Sequence, residues 1–240
     1  MGHGSRVKEG IEEANLFIKQ VKSKISIPIQ EICFLELVSP TIAEGIANCV
    51  ARGATSIAIV PVLLLSAHHV KKDIPLEIEA GKARYPEVKF IYGKPFGIHS
   101  KIIDSLYDRI LEQDRAIDER TSVLLVGRGS SDPAVKHDLL EIAKQLSDKY
   151  AIKQVDVCFL YGAKPSFNEA LKTLQKKDLK QIFVIPYLLF SGLLMNEITS
   201  KIVKQSTADQ TLILCENLGY HKNMQKVLLE RIDGVLGHLY

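Results

Sequence analysis

An α/β fold of two similar doubly wound halves, each built on a parallel sheet and with an active cleft between them, is what this 240-residue sequence predicts. Two observations carry the prediction. The chain repeats itself, and within each repeat short apolar runs alternate with stretches of helical period. Near-continuous apolar runs, each followed by a helix, indicate parallel strands covered on both faces.

A shift of 125 residues superposes the halves without a gap over about 65 positions. Gly2, Gly4 and Ser5 fall on Gly127, Gly129 and Ser130, and Cys33-Phe34-Leu35 on Cys158-Phe159-Leu160. Pro40 meets Pro165, Glu44 meets Glu169, and Ile57, Pro61, Leu63, Leu64 and Ser66 meet Ile182, Pro186, Leu188, Leu189 and Ser191. At a shift of 122, Gly97, His99, Arg109 and Ile110 meet Gly219, His221, Arg231 and Ile232.

In the first half Ile27–Leu35, Ser56–Pro61 and Val88–Tyr92 read as strands. In the second half Ser122–Val126, Gln154–Leu160, Gln181–Pro186 and Thr211–Cys215 do so. There Pro133–Tyr150, Pro165–Gln175, Met195–Gln205 and His221–His238 have helical spacing. The charged stretch Gln113–Thr121 is the expected linker, which puts the domains at residues 1–115 and 120–240. The second half opens with Val123-Leu124-Leu125-Val126 before Gly127, whereas only Met1 precedes Gly2. The repeat therefore leads one to expect either that the first half has lost its opening strand or, the favoured reading, that the start is truncated.

Hydrophobic residues make up 46% of the chain and charged residues 25%, enough for a sizeable core. A net charge of +3 gives no argument for nucleic acid. No run approaches the roughly 20 apolar residues of a membrane helix, and no secretory apolar region opens the chain. A cytoplasmic protein is expected. Cys33, Cys49, Cys158 and Cys215 lack CxxC spacing and read as reduced, buried thiols.

Ligands of doubly wound folds gather at the carboxyl ends of parallel strands. The first-half loops Gly2–Arg6, Glu36–Pro40 and Leu64–Lys72 are of that kind, and they offer His3, Glu36, and His68 or His69. Two histidines and a glutamate make an open shell for a borderline divalent ion. The repeat supplies an internal control. His3 faces Arg128, Glu36 faces Tyr161 and His69 faces Leu194, while the surrounding residues match. One working site and one half without metal ligands is the expectation. His99 and His221, matched in both halves, are expected to cap or open helices, and His137 and His238 to lie on helix surfaces. Lys71-Lys72-Asp73 reads as a solvated helix start. Val62–Leu65 and Tyr187–Phe190 read as core or as walls for a flat apolar ligand. The Gly-His-Gly-Ser and Gly-Arg-Gly-Ser turns lack a complete nucleotide-binding pattern.

The motifs Gly2–Arg6, Phe34–Pro40, Pro61–His69, Asp73–Pro75, Gly127–Pro133 and Pro186–Gly192 together resemble the sirohydrochlorin chelatases, the class II tetrapyrrole chelatases. The resemblance is nearest to the two-half bacterial sirohydrochlorin ferrochelatases. It implies metal binding by His3, Glu36 and His69 rather than His68, with His3 also accepting a proton. It implies substrate contacts at Ser5, Arg6, Ser39 and the loop residues Leu64, Leu65, Ser66, Ala67 and His68. Relatives often carry an acid where this chain has Ser39. The metal, Fe2+ or Co2+, would be a substrate, with no permanent cofactor. The other substrate, sirohydrochlorin, carries eight carboxylates and loses two pyrrole protons, so Arg6, Lys71, Lys72, Lys94 and Arg128 become expected anchors by position. A cobaltochelatase of cobalamin synthesis, a non-catalytic metal or tetrapyrrole carrier, and a retired homologue are the alternatives. The expected form is a monomer with no membrane or nucleic-acid partner.

Overall fold

The computed structural model describes residues 1–66, 69–205 and 210–237. Ala67, His68 and His238 lie outside the described residues, as does the side chain of His69. By packing, the chain divides into one unit of Met1–Gly97 with Gln225–Tyr240 and another of Ile98–Met224.

In the first unit, apolar residues at helical spacing give α1 (Lys8–Lys22) a face that buries Ala14, Phe17, Ile18 and Val21. Helix α2 (Ile42–Ala51) opens on a reciprocal cap. The Thr41 side chain accepts from the Glu44 amide at 3.2 Å, and the Glu44 carboxylate accepts from the Thr41 amide at 2.7 Å. Strands β1 (Ser56–Ile59) and β2 (Lys89–Tyr92) pair in parallel, with Ile57 opposite Phe90. A π-turn, His69–Asp73, runs directly into α3 (Ile74–Arg84). Ile42, Ile46, Ile57, Ile59, Val70, Ile74 and Ile78 form the core between sheet and helices. At about 2 kcal/mol for each buried aliphatic side chain, this cluster outweighs the few hydrogen bonds of a two-stranded sheet.

The second unit begins with α4 (Ser100–Leu111) and carries a parallel sheet in the order β4-β3-β5-β6. Its strands are β3 (Thr121–Gly127), β4 (Val155–Phe159), β5 (Gln181–Tyr187) and β6 (Thr211–Leu214). Every residue of β3 is buried, as expected for a central strand. Helix α5 (Pro133–Tyr150) starts on the Asp132 side chain, which accepts from the Ala134 amide at 3.0 Å, and ends on a left-handed Ala151. Helix α6 (Phe167–Leu174) repeats the cap of α2 with Ser166 and Glu169. Helix α7 (Leu193–Gln205) and the buried residues Leu124, Val126, Phe167, Leu171, Ile182, Val184 and Ile198 complete the core. The duplication extends to backbone detail, since Ser39-Pro40 and Lys164-Pro165 are both cis.

One element differs from the sequence expectations. Ile27–Leu35 is not a strand, and only Phe34 makes isolated bridges, to Gly2 and Thr41. The reason lies in the sheet order. Its counterpart β4 pairs with β3 over five residues, whereas among the described residues the backbone of Ile27–Leu35 is bridged only at Phe34, to Gly2 and Thr41. The packing units follow contacts and not the repeat at residues 1–115 and 120–240. Helix α4 packs with α5 and β5, while most of α8 (Lys222–Leu236) joins the first unit, where Arg231 Nε donates to the Pro95 carbonyl at 2.9 Å. Each half of the sequence thus gives its closing helix to the other unit. All four cysteines are free thiols and His137 is exposed, as expected, but only Cys158 and Cys215 are buried, while Cys33 and Cys49 are half-buried.

His99 and His221 act at helix starts, as their matched positions predict. His99 Nδ1 accepts from the Lys101 amide at 3.1 Å and His221 Nδ1 from the Asn223 amide at 3.3 Å. His221 is also buried, with Nε2 3.0 Å from Asp108 Oδ2 and Nδ1 2.9 Å from Ser105 Oγ. Burial, aided by the nearby Arg109 guanidinium, holds its imidazole below the usual value despite Asp108. The folded chain therefore keeps it neutral, while the unfolded chain takes up a proton as pH falls past about 6.5. Its contribution to stability is complete above that pH and is lost as pH falls through the folded value. Thermal unfolding between pH 7.5 and 5 is expected to show a falling midpoint. His221→Asn, which keeps a cap acceptor, should flatten that slope; an unchanged slope would refute the assignment.

Candidate metal centre

Three backbone hydrogen bonds set the first two candidate ligands side by side. The Gly2 amide donates to the Cys33 carbonyl at 2.9 Å, the Leu35 amide to Gly2 at 2.9 Å, and the Glu36 amide to His3 at 3.1 Å. Met1 extends the alignment towards β1. Its amino group donates to the Val60 carbonyl at 2.9 Å, and its carbonyl accepts from Val62 at 2.7 Å. His3 Nδ1 then stands 3.5 Å from Glu36 Oε1, with the two side chains 32% and 46% exposed. Two donors bound to one ion at about 2.1 Å stand about 3.4 Å apart at the tetrahedral angle. The gap therefore suits a shared divalent ion and is long for a direct hydrogen bond.

Gly4 makes the approach possible. Its φ is +99°, and a Cβ there would lie 1.9 Å from the Glu36 carbonyl oxygen. Leu37, directly after Glu36, takes a left-handed φ of 68°, where its counterpart in the second half is Gly162 at 66°. A non-glycine residue in that region stores local strain next to Glu36.

His69 opens the π-turn His69–Asp73, but its side chain lies outside the described residues. Among the described residues, no group of three His, Cys, Asp or Glu gathers as a metal shell, and His3 and Glu36 are the candidate ligands brought together. The sequence reading passed over the turn itself. Beyond it the matched buried pairs are Ile74 with Ile198 and Ile78 with Ile202, so the shift has dropped from 125 to 124. One extra residue in the first half is absorbed there. Tyr92 was also passed over. Its hydroxyl donates to the Val70 carbonyl at 3.0 Å, and burial pushes its phenol up to about 12, so it remains a donor.

The second half repeats the scaffold without the ligands. Tyr161 donates its amide to the Arg128 carbonyl at 2.9 Å, and a Cβ on Gly129 would lie 1.7 Å from the Tyr161 carbonyl oxygen. Arg128 is exposed, and the Tyr161 hydroxyl donates to Glu197, which pairs with Lys201 at 2.8 Å.

The expected substrate contacts divide. Ser5 Oγ accepts from the Val7 amide at 3.0 Å, so it shapes the turn after His3. Arg6 and Ser39 are exposed, and Ser39 precedes the cis bond to Pro40. Leu64, Leu65 and Ser66 are half-buried past the end of β1, and the Leu64 carbonyl accepts from Gly97 at 2.8 Å. Of the apolar runs, Val62, Tyr187 and Leu188 are core, whereas Leu63–Leu65, Leu189 and Phe190 are half-buried. Lys71, Lys72 and Lys94 are exposed.

Gly4→Ala tests the close approach against Gly53→Ala, whose φ is +89° but whose Cβ would meet nothing within 4 Å. Denaturant unfolding is expected to show about 1 kcal/mol lost for Gly53→Ala, the left-handed penalty alone. Gly4→Ala should lose at least about 2 kcal/mol and should also weaken Co2+ binding. Equal losses would show that the contact with Glu36 is not limiting.

A family model described as CbiX matches residues 1–113 and again 122–235. The sirohydrochlorin ferrochelatase of Priestia megaterium is 50% identical over 234 residues, which cover 98% of this chain and 88% of that one. A sirohydrochlorin cobaltochelatase of the same organism is 35% identical over 240 aligned positions, 97% of this chain and 78% of that one. The solved structure of SirB from Bacillus subtilis with Fe3+ superposes with a TM-score of 0.89 at 44% identity, covering 97% of this chain and 92% of that one. On the double match and these near full-length relatives, the chain belongs to the CbiX family.

Proposed function

We propose that this chain is a sirohydrochlorin ferrochelatase that holds the incoming Fe2+ on His3, Glu36 and His69 and transfers it into the tetrapyrrole. The observation that carries the site assignment is the pairing of His3 with Glu36 at 3.5 Å, on a scaffold the second half repeats with Arg128 and Tyr161. Insertion exchanges one Fe2+ for the two pyrrole N–H protons of sirohydrochlorin, giving siroheme and two protons. A neutral imidazole can bind the ion and then accept a proton as it leaves. Three protein ligands leave coordination positions open, so the tetrapyrrole nitrogens can displace them in turn. Ser5, Arg6, Ser39 and the 64–68 loop are the proposed substrate contacts, with Arg6, Lys71, Lys72 and Lys94 meeting carboxylates. Among the described residues no helix is long and apolar enough to cross a membrane. A cytoplasmic monomer is the proposed working form.

Co2+ is the second metal to test, because imidazole and carboxylate suit both ions and a relative 35% identical is a cobaltochelatase. Initial insertion rates into sirohydrochlorin should be higher with Fe2+, and faster turnover with Co2+ would reverse the choice. His3→Ala and Glu36→Gln should each lower kcat/KM by about 100-fold or more. Arg6→Ala should raise KM with kcat held, as loss of an anchor requires. A carrier would instead bind metal tightly and leave the uncatalysed insertion rate unchanged.

A further inference from the structure

We propose that Tyr92 is a positioning residue for this centre: its hydroxyl closes the π-turn that carries His69. The inference rests on the reading of His69 as a ligand. In π register the carbonyl of residue 70 looks to the amide five residues on. That residue is Pro75, which opens α3 and has no N–H. Tyr92 Oη supplies the missing donor at 3.0 Å to the Val70 carbonyl. Val70 itself is buried in the core with Ile74 and Ile78, so an unmet carbonyl there would be costly. Tyr92 sits at the end of β2, and the bond ties the turn to the carboxyl edge of the sheet.

The second half has none of these parts. α7 runs from Leu193 to Gln205 as an uninterrupted α-helix. At the matched positions Leu194 replaces His69, Thr199 with its N–H replaces Pro75, and Leu214 replaces Tyr92. The extra residue, the proline, the tyrosine and the candidate ligand occur together in one half and are absent together from the other. One inserted residue rotates what precedes it by about 100° around the helix axis. The turn therefore sets the backbone register of residue 69 relative to α3, and Tyr92 fixes the turn.

Four variants separate this inference from the reading beneath it: Tyr92→Phe, Pro75→Ala, the two combined, and His69→Ala. Each is measured for Fe2+ insertion into sirohydrochlorin, for Co2+ affinity by absorption titration, and for thermal unfolding. Tyr92→Phe is expected to lower kcat and Co2+ affinity about 10- to 100-fold, with KM for sirohydrochlorin changed less than about twofold. In the double variant, Pro75→Ala restores a backbone N–H that can reach the Val70 carbonyl, so kcat and Co2+ affinity should recover at least about threefold. That recovery supports the proposal even if Tyr92→Phe alone is poorly folded. Wild-type kcat and Co2+ affinity in Tyr92→Phe, with His69→Ala inactive, would overturn it and leave the site reading intact. A loss that Pro75→Ala does not relieve would also overturn it. A fully active His69→Ala would overturn the ligand reading, and this inference with it.

Discussion

The candidate centre rests on the approach of one stretch of backbone to another. Residues 2–4 lie so close to residues 33–36 that position 4 has no room for a Cβ. The amides of Gly2, Leu35 and Glu36 fill the gap with hydrogen bonds of 2.9–3.1 Å. Once the backbones are laid together, the side chains at 3 and 36 have little choice but to be neighbours. The same approach recurs at Gly129 and Tyr161, where the side chains are an arginine and a tyrosine. Proximity is thus a property of the scaffold, and metal chemistry is a property of which residues stand on it.

Much of this was legible in the sequence because duplication reports on backbone as well as side chains. Gly4 and Gly129 match because both meet a carbonyl, and Thr41-Glu44 and Ser166-Glu169 match because both close capping boxes. The second-half strands and helices fell within a few residues of the periodicity, and α5 fell on its predicted limits. The failure at Ile27–Leu35 has a physical cause. Apolar alternation reports a surface suited to a sheet, but a strand exists only where a neighbour pairs with it. Nothing local to residues 27–35 tells whether that neighbour is present.

The π-turn was hidden for another reason. Helical period is nearly unchanged by one wider turn, so hydrophobic spacing carries only a shift of one residue. That shift was present in the sequence as the passage from a 125- to a 124-residue interval between matched isoleucines. Pro75 was the second trace, since a proline early in a helix usually costs nothing. Its cost appears only when the preceding turn is π. Tyr92 had no trace of its own, because a bond across 22 residues from β2 to Val70 depends on how the strand and helix pack.

The exchange of closing helices sets the halves' divergence in a physical frame. Each unit contains residues from both halves of the sequence. Change can then accumulate on one copy of the ligand positions without dismantling the fold, provided the backbone approach survives. In the second half the position of Glu36 belongs to Tyr161, whose hydroxyl donates to Glu197. Burial works against ionisation of Glu197, but hydrogen bonds from Lys201 and Tyr161 hold its carboxyl below the ordinary value. That carboxylate is committed to partners inside its own unit. At 36 the glutamate is half exposed and stands at ion-sharing distance from an imidazole. A carboxylate neutralised by a lysine has little left to offer a cation. The two copies therefore differ in what stands on the shared scaffold: a tyrosine bound to a lysine-paired carboxylate in the second, and a half-exposed glutamate beside a histidine in the first.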